Sequence, residues 1–533
     1  MFYSRKKYYL FIAAALISCS DNSKYSNNLV SSPHPYASEA GKIIYSQGGN
    51  AFDAAVASAF ALSVVEPSMS GIGGRLQVIF QKENGDIKGL DATTQIPSNF
   101  VNSNDLPSYG YKTIGIPGVV AGLLKLHEEN GKLSLEKVMK PAIQLAEEGF
   151  IILPGELRRQ QSAKDFLSEF EGSTYYFLDS LGQSFTIGHR LIQKDLANTL
   201  KTISKEGKKG FYEGEIANRI AEDIQSNGGF VSTEDLKNYS VKESEVLEGE
   251  FNGYKMHTLN LPSYGSITIQ MMQIFDKLEI VDEKDFTIKV SSAVEESYKY
   301  RPYQKNPDSL RSILSKETAS KIAKKIERAN LLLGFNKETK PFDLSDIAMG
   351  HTAHLTTSDK YGNVVSLTQT LGPNMGSKVA SKGLGFLYNV TMGPYLGGYL
   401  GEDKPGDRSS SHISPTLFTK NNKVVLALGA AGGNKIPIAI NQVAYRYLKQ
   451  GFRLYDALYM PRVYMFDGPR YAEAHLGIDR FNDDIFYPEY LNVEKIRDKG
   501  YFGRVHAVAL DTINNSWIGA ADPDWEGTVT IYE

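Results

Sequence analysis

Along the first two thirds of the chain, apolar positions recur with a helical period; over the last third they recur every second residue. The segment 37–46 (ASEAGKIIYS) predicts a short helix stopped at Gly48-Gly49. Asn50 is placed to cap a second helix, with Asp53 in its first turn where a negative charge suits the helix dipole. That helix, Phe52 to Val65, is Ala-rich and apolar nearly all round, which predicts a buried helix closely approached by its neighbours. Glu66-Pro67 ends it, 70–74 (SGIGG) reads as a turn, and 76–81 as a strand. Further helices are predicted over 119–129, 135–148, 191–227 and 232–238, and an amphipathic one over 316–334. The polar, proline-containing stretch 335–350 reads as a loop.

The period changes at His351. HTAHLTTSD alternates, Lys360-Tyr361-Gly362-Asn363 offers turn chemistry, and VVSLTQTL alternates again, which predicts a β-hairpin. Strands are predicted at 413–417 and 423–429, then a Gly-rich turn from Gly429 to Lys435 and a helix to about Leu448. Helix-rich, then strand-rich, fits stacked layers of helix and sheet.

Composition narrows the picture. The 533 residues are 41% hydrophobic and 22% charged, enough apolar residue for a large core and unlike a disordered or collagenous chain. The net charge of -3 gives no reason to expect nucleic acid as a partner. A single Cys excludes an intrachain disulfide framework and Cys-based metal clusters. That Cys is Cys19. It follows Arg5-Lys6-Lys7 and an apolar run from Tyr8 to Ile17 that is about half the length needed to span a bilayer. The pattern reads as an export signal over 1–18, and Leu16-Ile17-Ser18-Cys19 resembles a bacterial lipobox. The expectation is lipidation at Cys19, a polar tether over 19–30, and a membrane association through that anchor only.

Common catalytic signatures are missing. There is no G-x-S-x-G elbow, and GAAGGNK at 429–435 lacks the register of a phosphate loop. His351 and His354 have metal-pair spacing, but on a strand i and i+3 face opposite ways, so two ordinary strand-edge histidines are expected. What remains is Thr352, a hydroxyl at the mouth of a hairpin directly after a polar loop.

The surrounding blocks resemble the γ-glutamyltransferase family of N-terminal-nucleophile hydrolases. Gly48-Gly49-Asn50-Ala51-x-Asp53-Ala54-Ala55 and Glu66-Pro67-x-x-Ser70-Gly71-Ile72-Gly73-Gly74 are similar to its N-terminal signature. Pro117-Gly118, Pro141 to Phe150, Phe211 to Ala217 and Pro262-Ser263-x-Gly265 follow in order. Thr352-Ala353-His354, Asp359, Gly362-Asn363, Thr368-x-Thr370, Ser414-Pro415-Thr416, Gly432-Gly433 and Pro461-Arg462 complete the series. The resemblance implies an α/β (α+β) fold, a four-layer αββα sandwich of the Ntn-hydrolase type. It implies a precursor that cuts its own His351–Thr352 bond, giving a large-subunit part over 31–351 and a small-subunit part over 352–533. Thr352 would be the nucleophile, its freed α-amine the base. Thr370 would orient it, and the Gly432 and Gly433 amides would form the oxyanion hole. No cofactor and no metal are implied.

The substrate clamp departs from the family pattern. The position of its carboxylate-binding Arg falls on Thr93, its Asn on Gly372, and its Gln and Asp on Thr391 and Pro394. Of its paired Ser, Ser411 matches and His412 replaces the second. Arg408 or Arg75 is the candidate for the missing cation. The expected function is hydrolysis or transfer of γ-glutamyl groups from a small amide or peptide. Two rivals are an acylase acting on another amide with the same Thr machinery, and an inactive lipid-anchored binding scaffold.

Overall fold

The computed structural model describes residues 23–103, 105–330, 351–394, 400, 404–466, 469–474 and 493–533. Its helix Ala51–Val65 opens on a reciprocal cap. The Asn50 side chain accepts from the N–H groups of Phe52 and Asp53, and the Asp53 carboxylate accepts from the N–H of Asn50. Every residue of this helix is buried, as an Ala-rich surface permits when other elements press on it from all sides.

Two antiparallel sheets lie face to face. The seven-stranded sheet runs Thr528–Tyr532, Asn28–Ser32, Ala353–Ser358, Val364–Thr370, Arg75–Gln81, Ile87–Ala92, Lys242–Ser244. The six-stranded sheet runs Ser516–Ala521, Arg504–Asp511, Lys423–Ala431, Thr416–Lys420, Tyr254–Leu259, Val246–Phe251. Alternation sorts their side chains. Leu76, Val78, Leu355 and Leu367 face a helical layer with Val56 and Phe60. Leu29, Ile79, Leu417, Ala427 and Val508 fill the space between the sheets. Phe418, Leu426 and Leu428 face a second helical layer with Ile267, Met271 and Ile440. Burying each such side chain contributes about 1.5–3 kcal/mol, so these three apolar layers hold the helix–sheet–sheet–helix stack. This is the four-layer arrangement that the resemblance implies.

Strands from both sides of residue 351 interleave in the seven-stranded sheet and meet as two blocks in the six-stranded one. Ala353–Ser358 and Val364–Thr370 lie between Asn28–Ser32 and Arg75–Gln81, and Thr416–Lys420 pairs with Tyr254–Leu259. Backbone ladders therefore join the two parts independently of the peptide bond between them.

The local reading needs four corrections. The tether expected over 19–30 is strand from Asn28: Leu29 and Val30 are buried, and the Asn28 side chain donates to the Tyr532 carbonyl. The span 191–227 is three helices, Lys194–Glu206, Lys208–Tyr212 and Gly214–Ser226, broken where Gly207 and Gly214 take positive φ. The strand expected at 413–417 begins only at Thr416, beyond Pro415. His354 is not on a sheet edge; it is fully buried in an interior strand. The segment 1–22, with Cys19, and the loop 331–350 lie outside the described residues. Among the described residues no helix is long and apolar enough to cross a membrane.

Candidate active site

Because Ala353 and Leu355 turn toward the helices, Thr352, His354 and Thr356 turn toward the second sheet. The hairpin register pairs His354 with Thr368 and Ala353 with Gln369, so Thr352 falls opposite Thr370. Their hydroxyl oxygens are 3.2 Å apart. Thr370 donates to the His351 carbonyl oxygen at 2.8 Å and accepts from the Gly372 N–H at 3.0 Å. The Thr352 hydroxyl lies 2.5 Å from that same carbonyl oxygen. Its single proton can go to either acceptor. Thr352 and Thr370 are each 4% exposed.

The second sheet closes the site from the other side. A Cβ on Gly429 would sit 2.3 Å from Cε1 of His354, so only glycine lets the strand Lys423–Ala431 press on the imidazole. The ring of His354 is held between the hydroxyls of Thr368 at 2.8 Å and Thr356 at 3.0 Å. Burial pushes it down to a pKa of about 3. The strand then ends at Gly432, with φ 144°, and Gly433, with φ 57°. A Cβ on Gly432 would meet the Gly503 Cα at 2.7 Å, whereas beside Gly433 there is open space. The diglycine leads through Gly433–Lys435 into the helix Ile436–Leu448, so its amides stand where a helix N-terminus favours negative charge.

Arg504 links the two sides. It pairs with Ala431 in the second sheet, and its Nη2 lies 3.4 Å from the Thr352 carbonyl oxygen. Glu66 lies 4.0 Å from Arg504 and 3.1 Å from Arg159. Arg159 also donates to Ser68 at 2.7 Å. Burial raises the Glu66 carboxyl above its usual range, against the pull of the two arginines. His351 is driven far below its ordinary pKa by burial first, then by Lys378, Arg159, Arg504 and Lys435. The site around the 351–352 bond is thus electropositive. Burial lowers Lys378 and Lys435 themselves to about 8.

The expected clamp residues are placed as follows. Thr93 is buried, its N–H donating to Asp91 at 2.8 Å and its carbonyl accepting from Tyr239. Arg408 is ion-paired with Asp91 at 2.9 Å and donates to the Ser240 carbonyl. Arg75 donates from Nη2 to the Val390 carbonyl at 2.5 Å. Thr391 binds Thr94 and Asn389. Ser411 donates its N–H to Pro262 at 2.7 Å, and His412 packs on Tyr264 with ring centroids 4.5 Å apart. The structure brings Thr352 and Thr370 together, sets the diglycine at the same end of the stack, and ties Arg408 and Arg75 into the scaffold. Sequence reasoning missed Glu66, Arg159, Lys378 and Arg504. Glu66 lies inside a quoted motif, but nothing local ties the other three to residue 352.

The sequence profile of the family described as Gamma-glutamyltranspeptidase matches residues 37–532. The glutathione hydrolase proenzyme of Pseudomonas sp. (strain A14) is 32% identical over 473 residues, 82% of this chain and 81% of that one. The capsule biosynthesis protein CapD proenzyme of Bacillus anthracis is 30% identical over 505 residues, 94% and 90% of the two chains. The crystal structure of cephalosporin acylase from Bacillus halodurans superposes with a TM-score of 0.82 at 25% identity, covering 96% of each chain.

Proposed function

The chain belongs to the gamma-glutamyltranspeptidase family and is an enzyme of its hydrolase and acyltransferase kind, and from that premise we propose that it cuts its own His351–Thr352 bond and then processes γ-glutamyl amides through an acyl-enzyme on Thr352. The observation that carries this reading is the pair of threonine hydroxyls on one carbonyl, with Thr370 donating to the His351 oxygen that a self-cleavage step would charge.

In the first step the Thr352 Oγ1 attacks the His351 carbonyl carbon and loses its proton. The C–N bond breaks, nitrogen takes a proton, and an ester joins His351 to Oγ1. Water hydrolyses that ester, leaving a carboxylate on His351 and a free amine on Thr352. The four surrounding cations favour the new carboxylate. A free α-amine ordinarily titrates near 8, so part of it is the neutral base at neutral pH. That amine then takes the Oγ1 proton as the oxygen attacks a substrate amide. The Gly432 and Gly433 amides receive the oxyanion, the leaving amine takes the proton, and water or a second amine releases the acyl group.

Two chains from one precursor, 19–351 with the large-subunit part over 31–351, and 352–533, follow from this reading. We also assign export and a lipid anchor at Cys19, whose test is membrane release of a Cys19→Ala protein. The deciding experiment is N-terminal sequencing of the mature protein with a chromogenic γ-glutamyl anilide assay. A 182-residue chain beginning at Thr352, with turnover, is expected. An uncut protein would sink the proposal. The same chain without turnover would favour the second reading, an acylase on another amide, which Thr93, Gly372, Thr391 and Pro394 at the clamp positions support.

A further inference from the structure

Resting on the self-cleavage and acyl-transfer reading above, we infer that Arg504, held in turn by Glu66, is a positioning residue for the nucleophile: it fixes the Thr352 carbonyl against the oxyanion turn and keeps a cation beside the α-amine that cleavage frees. The contact is direct. Arg504 Nη2 lies 3.4 Å from the Thr352 carbonyl oxygen, and that oxygen is two bonds from the Cα that carries the amine. Arg504 is 2% exposed, so water screens its charge poorly. It comes from the six-stranded sheet, whereas Thr352 and Thr370 belong to the hairpin of the seven-stranded one, so the contact spans the two sheets at their reacting end. The residue before it, Gly503, has the Cα that a Cβ on Gly432 would meet at 2.7 Å, and its carbonyl accepts from Arg462. Two consecutive residues thus touch the oxyanion turn and the nucleophile.

Glu66 holds the arginine. Its Oε1 lies 4.0 Å from Arg504 Nη1 and 3.1 Å from Arg159 Nη2. The charges that reach the 351–352 bond come from several elements. Lys378, Arg159, Arg504 and Lys435 are the cations, and Glu66, with Glu156 and Glu526 behind it, is the anionic side. His351 and His354 are neutral there, both lowered first by burial. A fixed cation disfavours an ammonium beside it, so the freed amine is the neutral base at a lower pH than an ordinary α-amine. Lys378 and Lys435 are lowered to about 8, inside the same window, so the amine has to be read by itself.

The test follows that amine on the purified mature protein, beside Arg504→Gln, Arg504→Lys and Glu66→Gln. Trace acetylation at a series of pH values, with mass spectrometry of the peptide that begins at Thr352, reports its titration apart from the lysines. The acid limb of kcat/KM on the γ-glutamyl anilide reports the same group at work. Arg504→Gln is expected to raise both by about one pH unit and to lower kcat/KM at pH 7 roughly tenfold. Arg504→Lys keeps the charge and should titrate near the parent, with a lower kcat from the looser contact. Glu66→Gln removes the opposing charge and should move the amine the other way, by about half a unit. A merely structural role would lower the melting temperature and kcat without moving the titration. An amine that titrates as in the parent in Arg504→Gln, or in Glu66→Gln, overturns the assignment, and if Arg504→Gln stays uncut Glu66→Gln judges it. A cut protein without anilide turnover defeats the γ-glutamyl reading alone, since the labelling still judges Arg504, whereas an uncut parent defeats both.

Discussion

At the scale of single residues, the proposal reduces to two hydroxyls and two glycines. Thr352→Ala removes the attacking oxygen, and the chain is expected to stay whole on a denaturing gel. Thr370→Ala removes the donor to the His351 carbonyl and one partner of Thr352. Its self-cleavage is expected to slow by one to two orders of magnitude, read as the half-time of chain separation, since one lost donor to a developing oxyanion costs a few kcal/mol. Gly432→Ala combines a left-handed φ with a Cβ 2.7 Å from the Gly503 Cα, so it should lower both stability and turnover. Gly433→Ala carries the φ penalty of about 1 kcal/mol without the clash, and should be the milder of the two. Much of this was legible in the sequence, because a hairpin register can be counted and Thr370 counts opposite Thr352. The charges around the bond were not legible. Arg159, Lys378 and Arg504 arrive from distant elements, and nothing in their local sequence announces a buried ion pair. The contacts of Arg408 with Asp91 and of Arg75 with Val390 were unreadable for the same reason: nearness along the chain to a motif says little about which carboxylate or carbonyl an arginine meets.

At the scale of elements, caps and breaks were the readable features. Asn50 and Asp53 were readable as a helix start, and the reciprocal cap is there. Asp53 does more than cap, since it also accepts from the Lys132 N–H at 2.9 Å and so ties a second helix end to the first. Asn50→Ala is therefore expected to cost about 1–2 kcal/mol, measured as a shift of the denaturation midpoint. Asp53→Ala should cost more, because it removes the acceptor of the buried Asn50 N–H and of the Lys132 N–H together. One element was misread because polar residues form strand. Asn28–Ser32 has a tether's composition, but Asn28 donates to the Tyr532 carbonyl and the Leu29-Val30 pair fills the core.

At the scale of the molecule, burial of neutral histidines sets the acid limit. His34 and His354 are both pushed down to about 3 by burial. In the unfolded chain such groups take a proton below about 6.5. The unfolded state then binds more protons than the folded one, so stability is full above that pH and falls as pH drops toward 3. Each histidine contributes about 1.4 kcal/mol per pH unit across that window. Circular dichroism melts between pH 7 and 4 should show the fall. His354→Gln should make it shallower by about one histidine's share, even if its melting temperature at pH 7 is lower.

The interleaving of strands from either side of residue 351 has a kinetic consequence. An intact chain refolds as one body, at a rate independent of how dilute it is. Once severed, each fragment supplies only part of the strands of both sheets, and neither can complete a sheet alone. Renaturation then requires an encounter between two molecules and slows in proportion to dilution, while Thr352→Ala protein, still in one piece, recovers at the same pace throughout.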